Sequence, residues 1–175
     1  MMEVKSVKLN IISLEWTEVE VLSIELEKPV DVGEVATRVK REKPIIVGLP
    51  FKDLDACSLG ISYLYTMEDL ILGSRVRNKA ILFLMNLLGF KQVRDVVDNI
   101  KYSHLIIAIG FKGEVRDNIK DILGELGISY EKKIDLEYVK CSIDSLENIT
   151  VKRLEKLHSI PSKETTLTLF TLFTT

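Results

Sequence analysis

LIIAIGFKGEVRDNIKDILGE, Leu105 to Glu125, is the stretch that decides the fold. Leu105 to Ile109 is an unbroken apolar run and predicts a buried strand, because a strand covered on both faces needs no polar alternation. Gly110 and Gly113 bracket a turn. Beyond it Val115, Ile119, Ile122 and Leu123 recur at helical spacing over Glu114 to Glu125. A strand turning directly into an amphipathic helix predicts an α/β architecture, with a sheet packed against helices.

Upstream, Lys91 to Ile100 predicts a short helix with Val93, Val96, Val97 and Ile100 on one side. Arg75 to Leu88 predicts a helix stopped by Gly89, apolar nearly all round between Ala80 and Leu88 and therefore central in the fold. From Asp53 the residues Leu54, Cys57, Ile61, Leu64, Tyr65, Met67 and Ile71 keep to one helical face as far as Gly73, with Gly60 an unfavourable interior residue. PIIVGL, Pro44 to Leu49, reads as a short buried strand between two prolines. Asp31 and Glu34 have the spacing of a capping box, opening a helix that carries Val32, Val35, Ala36 and Val39 and ends in the charged run Lys40 to Lys43. Near the N-terminus Val7, Leu9 and Ile11 alternate with polar residues, as do Val19 and Val21. Leu22, Ile24 and Leu26 then resume the alternation one residue out of step, which predicts two strands with a bulge in the second.

Downstream, Ile128 to Tyr130 and Leu136 to Val139 read as edge strands, and Thr150 as the N-cap of a helix carrying Val151, Leu154 and Leu157. The final segment, Thr165 to Thr175, holds six threonines, five apolar residues and no charge. Pro161 and Ser162 favour a helix start while TLTLF alternates as a strand does, so its conformation stays open between the two. Such a tail packs on its own fold, meets another chain, or stays disordered. The expectation is a single α/β domain over residues 1–175, a mixed sheet packed against several helices.

Composition narrows the function. The chain has 175 residues, 46% of them hydrophobic and 29% charged, enough for one core and a solvated surface. Its longest apolar run, Ala80 to Met85, is far short of the roughly 20 residues that cross a bilayer. MMEVKSVKLN has no signal-peptide core, so a cytoplasmic location is expected. With 24 basic and 26 acidic residues the net charge is −2, and any contact with nucleic acid must come from a local patch. Cys57 and Cys141 stand far apart without a second thiol beside either, and both read as small core hydrophobes.

Residues for catalysis are sparse. His104, ahead of a strand, and His158, near a helix end, have no second ligand at metal spacing, and no metal or cofactor is expected. Ser58, Ser62 and Ser74 have no evident histidine partner, and Glu68 with Asp69 and Asp95 with Asp98 read as solvated helix faces. GFKGEV, Gly110 to Val115, sits where backbone amides cradle phosphates, yet lacks P-loop or dinucleotide spacing and reads as a plain turn. A non-enzymatic protein is expected. The one basic cluster of interest is Arg75, Arg77 and Lys79 with Lys91 and Arg94 across Gly89, residues suited to phosphates if the ends of neighbouring helices bring them together.

RVRNKAILFLMNLLGFKQVRDVVDNIKYSHLIIAI, Arg75 to Ile109, resembles the kinase-binding subunit of the KEOPS complex, the PRPK-binding protein family. Lys91, Gln92 and Val93 match the basic residue, Gln and Ile that open that family's second helix, and Asp95 and Val96 match its acidic and small apolar pair. LIIAI with Glu114 to Glu125 matches the next strand and helix, and Leu154 to Ile160 its late segment. Ala80 stands where the family's long helix usually carries an acidic residue, and Asn99 where the second helix usually ends in Gly. The resemblance implies a non-catalytic subunit of the assembly that makes threonylcarbamoyladenosine in tRNA. Such a subunit binds the small lobe of an atypical protein kinase and, in archaea, helps recruit tRNA by its 3′ end, with weak binding alone. On that reading Leu169, Phe170, Leu172 and Phe173 of the tail would anchor the kinase. Arg75, Arg77, Lys79, Lys91 and Arg94 would meet tRNA phosphates, with Phe90 read as a plug for the helix turn before a stacking platform. The alternative is a small regulatory domain using GFKGEV as a nucleotide or anion site.

Overall fold

The computed structural model describes residues 2–14, 17–50 and 55–142. The helix expected from Thr150, His158 and the tail with Leu169, Phe170, Leu172 and Phe173 lie outside the described residues. The elements run β1 (Val4–Ser13), β2 (Glu18–Asp31), α1 (Val32–Arg38), β3 (Ile45–Leu49), α2 (Ala56–Ile71), α3 (Lys79–Leu88), α4 (Val93–Asn99), β4 (Tyr102–Phe111), a 3-10 turn (Arg116–Asn118), α5 (Ile119–Glu125) and β5 (Asp135–Lys140). The five strands form one mixed sheet in the order β3-β4-β2-β1-β5, antiparallel except where β5 runs parallel to β1. The α/β class expected from the sequence is what the chain adopts.

Helices cover both faces, giving two cores. On one face Ile12, Val21, Val47, Leu105, Ile107 and Ile109 pack against α2, α3 and α4 through residues such as Leu64, Phe83 and Val96. On the other, Val7, Leu9, Ile24, Ile46, Ile106 and Ala108 meet Val35 of α1 and Ile122 and Leu123 of α5. β4 thus buries consecutive residues on opposite faces, which is why LIIAI carries no alternation.

The same geometry corrects the reading of β2. Val19 and Val21 face the first core, and Leu22, Ile24 and Leu26 the second, so the change of step marks burial on both faces. Pairing with β1 continues unbroken from Glu18 to Glu25, and the irregularity in β2 falls between Glu25 and Val30, opposite β4. Gly60 is also explained, since a Cβ there would stand 3.2 Å from Leu14 and 3.3 Å from Ile12; α2 lies close on β1. Asp31 caps α1 as expected, accepting from the amides of Gly33 and Glu34. Gly89 ends α3 in the left-handed conformation at φ 75°, which glycine adopts without the strain other residues incur. Residues 128–130 form no strand; Ile128 is buried beside α5.

The cysteines depart most from expectation. Cys57 in the first turn of α2 and Cys141 after β5 form a disulfide, with their Cα atoms 5.8 Å apart across 84 residues of sequence. They are a covalent link from the helical layer to the last strand, and not two free core thiols.

Candidate functional site

β3 is the outer strand of the sheet, and beside it lies a cleft of about 460 Å³. α1 forms one wall with Val32, Val35 and Ala36. α3 and α4 form the other with Ala80, Ile81, Leu84, Val97 and Ile100, while Lys101 and Tyr102 stand at the foot of β4. The apolar run of α3 therefore divides its labour: Leu82, Phe83 and Leu84 enter the core, and Ala80 and Ile81 are left half-buried to line the cleft. On α4, Val96 and Ile100 are buried, but Val97 is 57% exposed and Val93 is also exposed, so the expected apolar face is only half used by the core.

Next to this cleft, and sharing Ala36, Ile46, Asn78 and Ala80 with it, runs a second groove whose charged lining is Arg41, Glu42, Arg77 and Lys79. Arg77 is exposed in the loop before α3, while Lys79 opens that helix with its ammonium 3.9 Å from Glu42. Arg75 is exposed in the same loop. Lys91 and Arg94, also exposed, lie beyond the far end of α3, whose ten residues at 1.5 Å each separate the two groups by about 15 Å. The expected five-residue patch is therefore two patches. Arg77 and Lys79 join Arg41 in this groove, while Lys101 and the 64% exposed ring of Tyr102 line the adjoining cleft at the other end of β4. Sequence spacing gave no sign of these partners, which arrive from the loop after α1 and the start of β4. Phe90 packs against the first core, consistent with a plug for the helix turn.

The GFKGEV turn is closed from within. The carboxylate of Glu20, a β2 residue only 3% exposed, accepts from the amides of Gly113 at 3.0 Å, Val115 at 3.1 Å and Arg116 at 2.8 Å. Glu114 turns back to accept from the Phe111 amide at 2.8 Å. Amides that would cradle a phosphate are thus bonded to a carboxylate of the chain itself. Tyr63 lies beside this turn, its ring edge-on to Phe111 with centroids 4.9 Å apart. Burial, reinforced by the Glu114 carboxylate, pushes its phenol above the ordinary tyrosine range.

His104 lies within β4, not ahead of it, and its Nδ1 is buried without a hydrogen-bond partner among the described residues. Among the described residues no group of three His, Cys, Asp or Glu side chains is arranged to hold a metal ion, and no helix is long and apolar enough to cross a membrane. No family model, curated protein or solved structure matches the chain.

Proposed function

We propose that this chain is a non-catalytic subunit of the KEOPS tRNA-modifying assembly, binding its atypical protein kinase subunit and helping to bring in tRNA. The observation that carries the reading is the resemblance over Arg75 to Ile109, together with an order of elements that follows it: α3, Gly89 and Phe90, α4, β4, turn and α5. The groove of Arg41, Arg77 and Lys79 supports the tRNA role, because clustered cations hold phosphates. Kinase contact through Leu169, Phe170, Leu172 and Phe173 is part of the same proposal.

Co-purification of the full chain with the atypical kinase of the same source tests it, beside a Phe170→Glu, Phe173→Glu variant. The expected result is capture by the wild type and at least about tenfold weaker capture by the variant, the loss of two aromatic anchors. Equal capture would move the interface away from the tail. Failure of both proteins to bind, with circular dichroism showing both folded, would end the KEOPS reading.

A further inference from the structure

The cleft between α1 and the α3–α4 pair is a concave pocket. Its floor is Ile46, Val47 and Gly48, all buried, and its depth is closed by Val35, Leu84, Val96 and Ile100, none more than 6% exposed. Towards the mouth the lining stays apolar, with Ala36 of α1 and Val97 of α4 exposed. Its volume of about 460 Å³ falls within the roughly 300–1,000 Å³ of small-molecule sites, which are mostly apolar with a few polar groups that orient the ligand. The tRNA reading leaves it unused, because Arg41, Arg77 and Lys79 line the second groove.

The polar groups of the lining select the ligand's chemistry. Two side-chain acceptors are already engaged within the chain: Asp31 accepts from the amides of Gly33 at 2.7 Å and Glu34 at 3.3 Å, and Asn78 Oδ1 from the amide of Ile81 at 3.1 Å. Lys101 is different. Its exposed ammonium has no partner among the described residues, although Asp31 stands on the neighbouring strand opposite Tyr102. The hydroxyl of Tyr102, on its exposed ring, is a second donor at the same end. An occupant must therefore bring an apolar body that buries no charge and, at one end, an acceptor matched to a cation. A cationic head would meet Lys101 as a like charge.

We propose that the cleft binds a free acidic amphiphile, a single alkyl or acyl chain ending in a carboxylate or phosphate, with the chain between α1 and α3–α4 and the acid on Lys101 and Tyr102. Affinity then comes from the apolar surface that the chain covers, and the choice of head group from Lys101 at the rim. The site is independent of kinase and tRNA, and the test below needs neither.

Decanoate and decyl phosphate, held below their micelle concentrations, are titrated into the full chain by isothermal calorimetry, with decyltrimethylammonium as the probe of equal chain and opposite charge. One saturable site for an acidic probe is expected, with the ammonium probe bound at least about tenfold more weakly. Lys101→Gln should bring the acidic and ammonium probes to similar affinity. Ala36→Trp and Val97→Trp, each placing an indole at the cleft from an exposed position, should abolish binding while circular dichroism is unchanged. No saturation by either acidic probe up to about 1 mM, equal affinity of the wild type for both charges, or binding that survives both tryptophan variants would overturn the proposal. Flotation with phosphatidylglycerol vesicles separates a free ligand from a bilayer lipid of the same chemistry. The protein should stay in solution, and capture by vesicles that Ala36→Trp abolishes would overturn the assignment to a free amphiphile.

Discussion

Glu20 shows how one side chain holds a turn that resembles a ligand site. From β2, opposite Gly110 of β4, it satisfies three amides between Gly113 and Arg116, with one carboxylate oxygen taking two of them. Its removal leaves three donors without this partner, the buried Val115 amide among them. Glu20→Ala should therefore cost about 3 kcal/mol in urea unfolding, and Glu20→Gln about half as much, since an amide keeps one acceptor oxygen and turns a donor toward the remaining N–H. A Glu20→Ala protein within about 0.5 kcal/mol of wild type would show that water replaces the carboxylate, and that the turn is open to anions after all. In the sequence Glu20 stands between Val19 and Val21 as any solvent-facing strand residue would, and its three partners lie more than 90 positions away. The turn itself was legible from its glycines; what fills it was not.

The elements were read best where each one's own residues decide it. Asp31 caps α1 through its own side chain, Gly89 stops α3 through its own backbone, and the apolar runs of β3 and β4 need only be covered, whatever covers them. Residues 128–130 form no strand because two apolar residues about a serine, Ile128 and Tyr130, satisfy a loop that turns into the core as well as a strand. How elements are fastened to each other is less visible. Arg38 of α1 donates to the Leu126 carbonyl at the end of α5, while Glu125 accepts from the amides of Lys40 and Arg41 and bonds the Arg41 guanidinium at 2.7 Å. The Lys40 amide first, then the bonds and charge of Arg41, hold the Glu125 carboxyl below the usual glutamate range against the opposing effect of burial. A depressed folded pKa gives stability that is present above the unfolded value near 4.3 and is lost as pH falls through the folded one. Glu125→Gln should accordingly be about 1 kcal/mol less stable than wild type at pH 7, with the gap closing as unfolding is measured at progressively lower pH below about 4. A gap of the same size at pH 7 and pH 3 would mean that the clasp acts by shape and not by charge.

At the scale of the whole molecule the decisive contacts join residues far apart in the chain, and no local pattern reports them. Pairing of β5 with β1 brings Lys140 beside Ser13, the cleft assembles α1, α3, α4 and the foot of β4, and Arg41 reaches the groove of Arg77 and Lys79 from another loop. Sequence could name Arg77 and Lys79 as cations of interest, but not the surface they share or their separation from Lys91 and Arg94. The disulfide is the clearest case, since Cys57 looks like one more apolar residue of a helix face and Cys141 follows a strand, and only the sheet order brings them together. It fastens β5, an edge strand paired with β1 alone among the described strands, to the start of α2, and it also bears on where the protein works. Disulfides persist in oxidising compartments and in the cytosol of some hyperthermophiles, and are rare in other cytosols. Closing a loop of 84 residues restricts the unfolded chain by up to roughly 4 kcal/mol, so reduction, or a Cys57→Ser, Cys141→Ser chain, should lower unfolding stability by about 2–4 kcal/mol. The loss should also be uneven: the amides of β5 should gain exchange before those of β4, because β4 is held by neighbours on both sides and β5 by one neighbour and the link. Alkylation of the denatured, unreduced chain should find no free thiol. Two free thiols, or equal stability with and without reductant, would return Cys57 and Cys141 to the role of ordinary core residues.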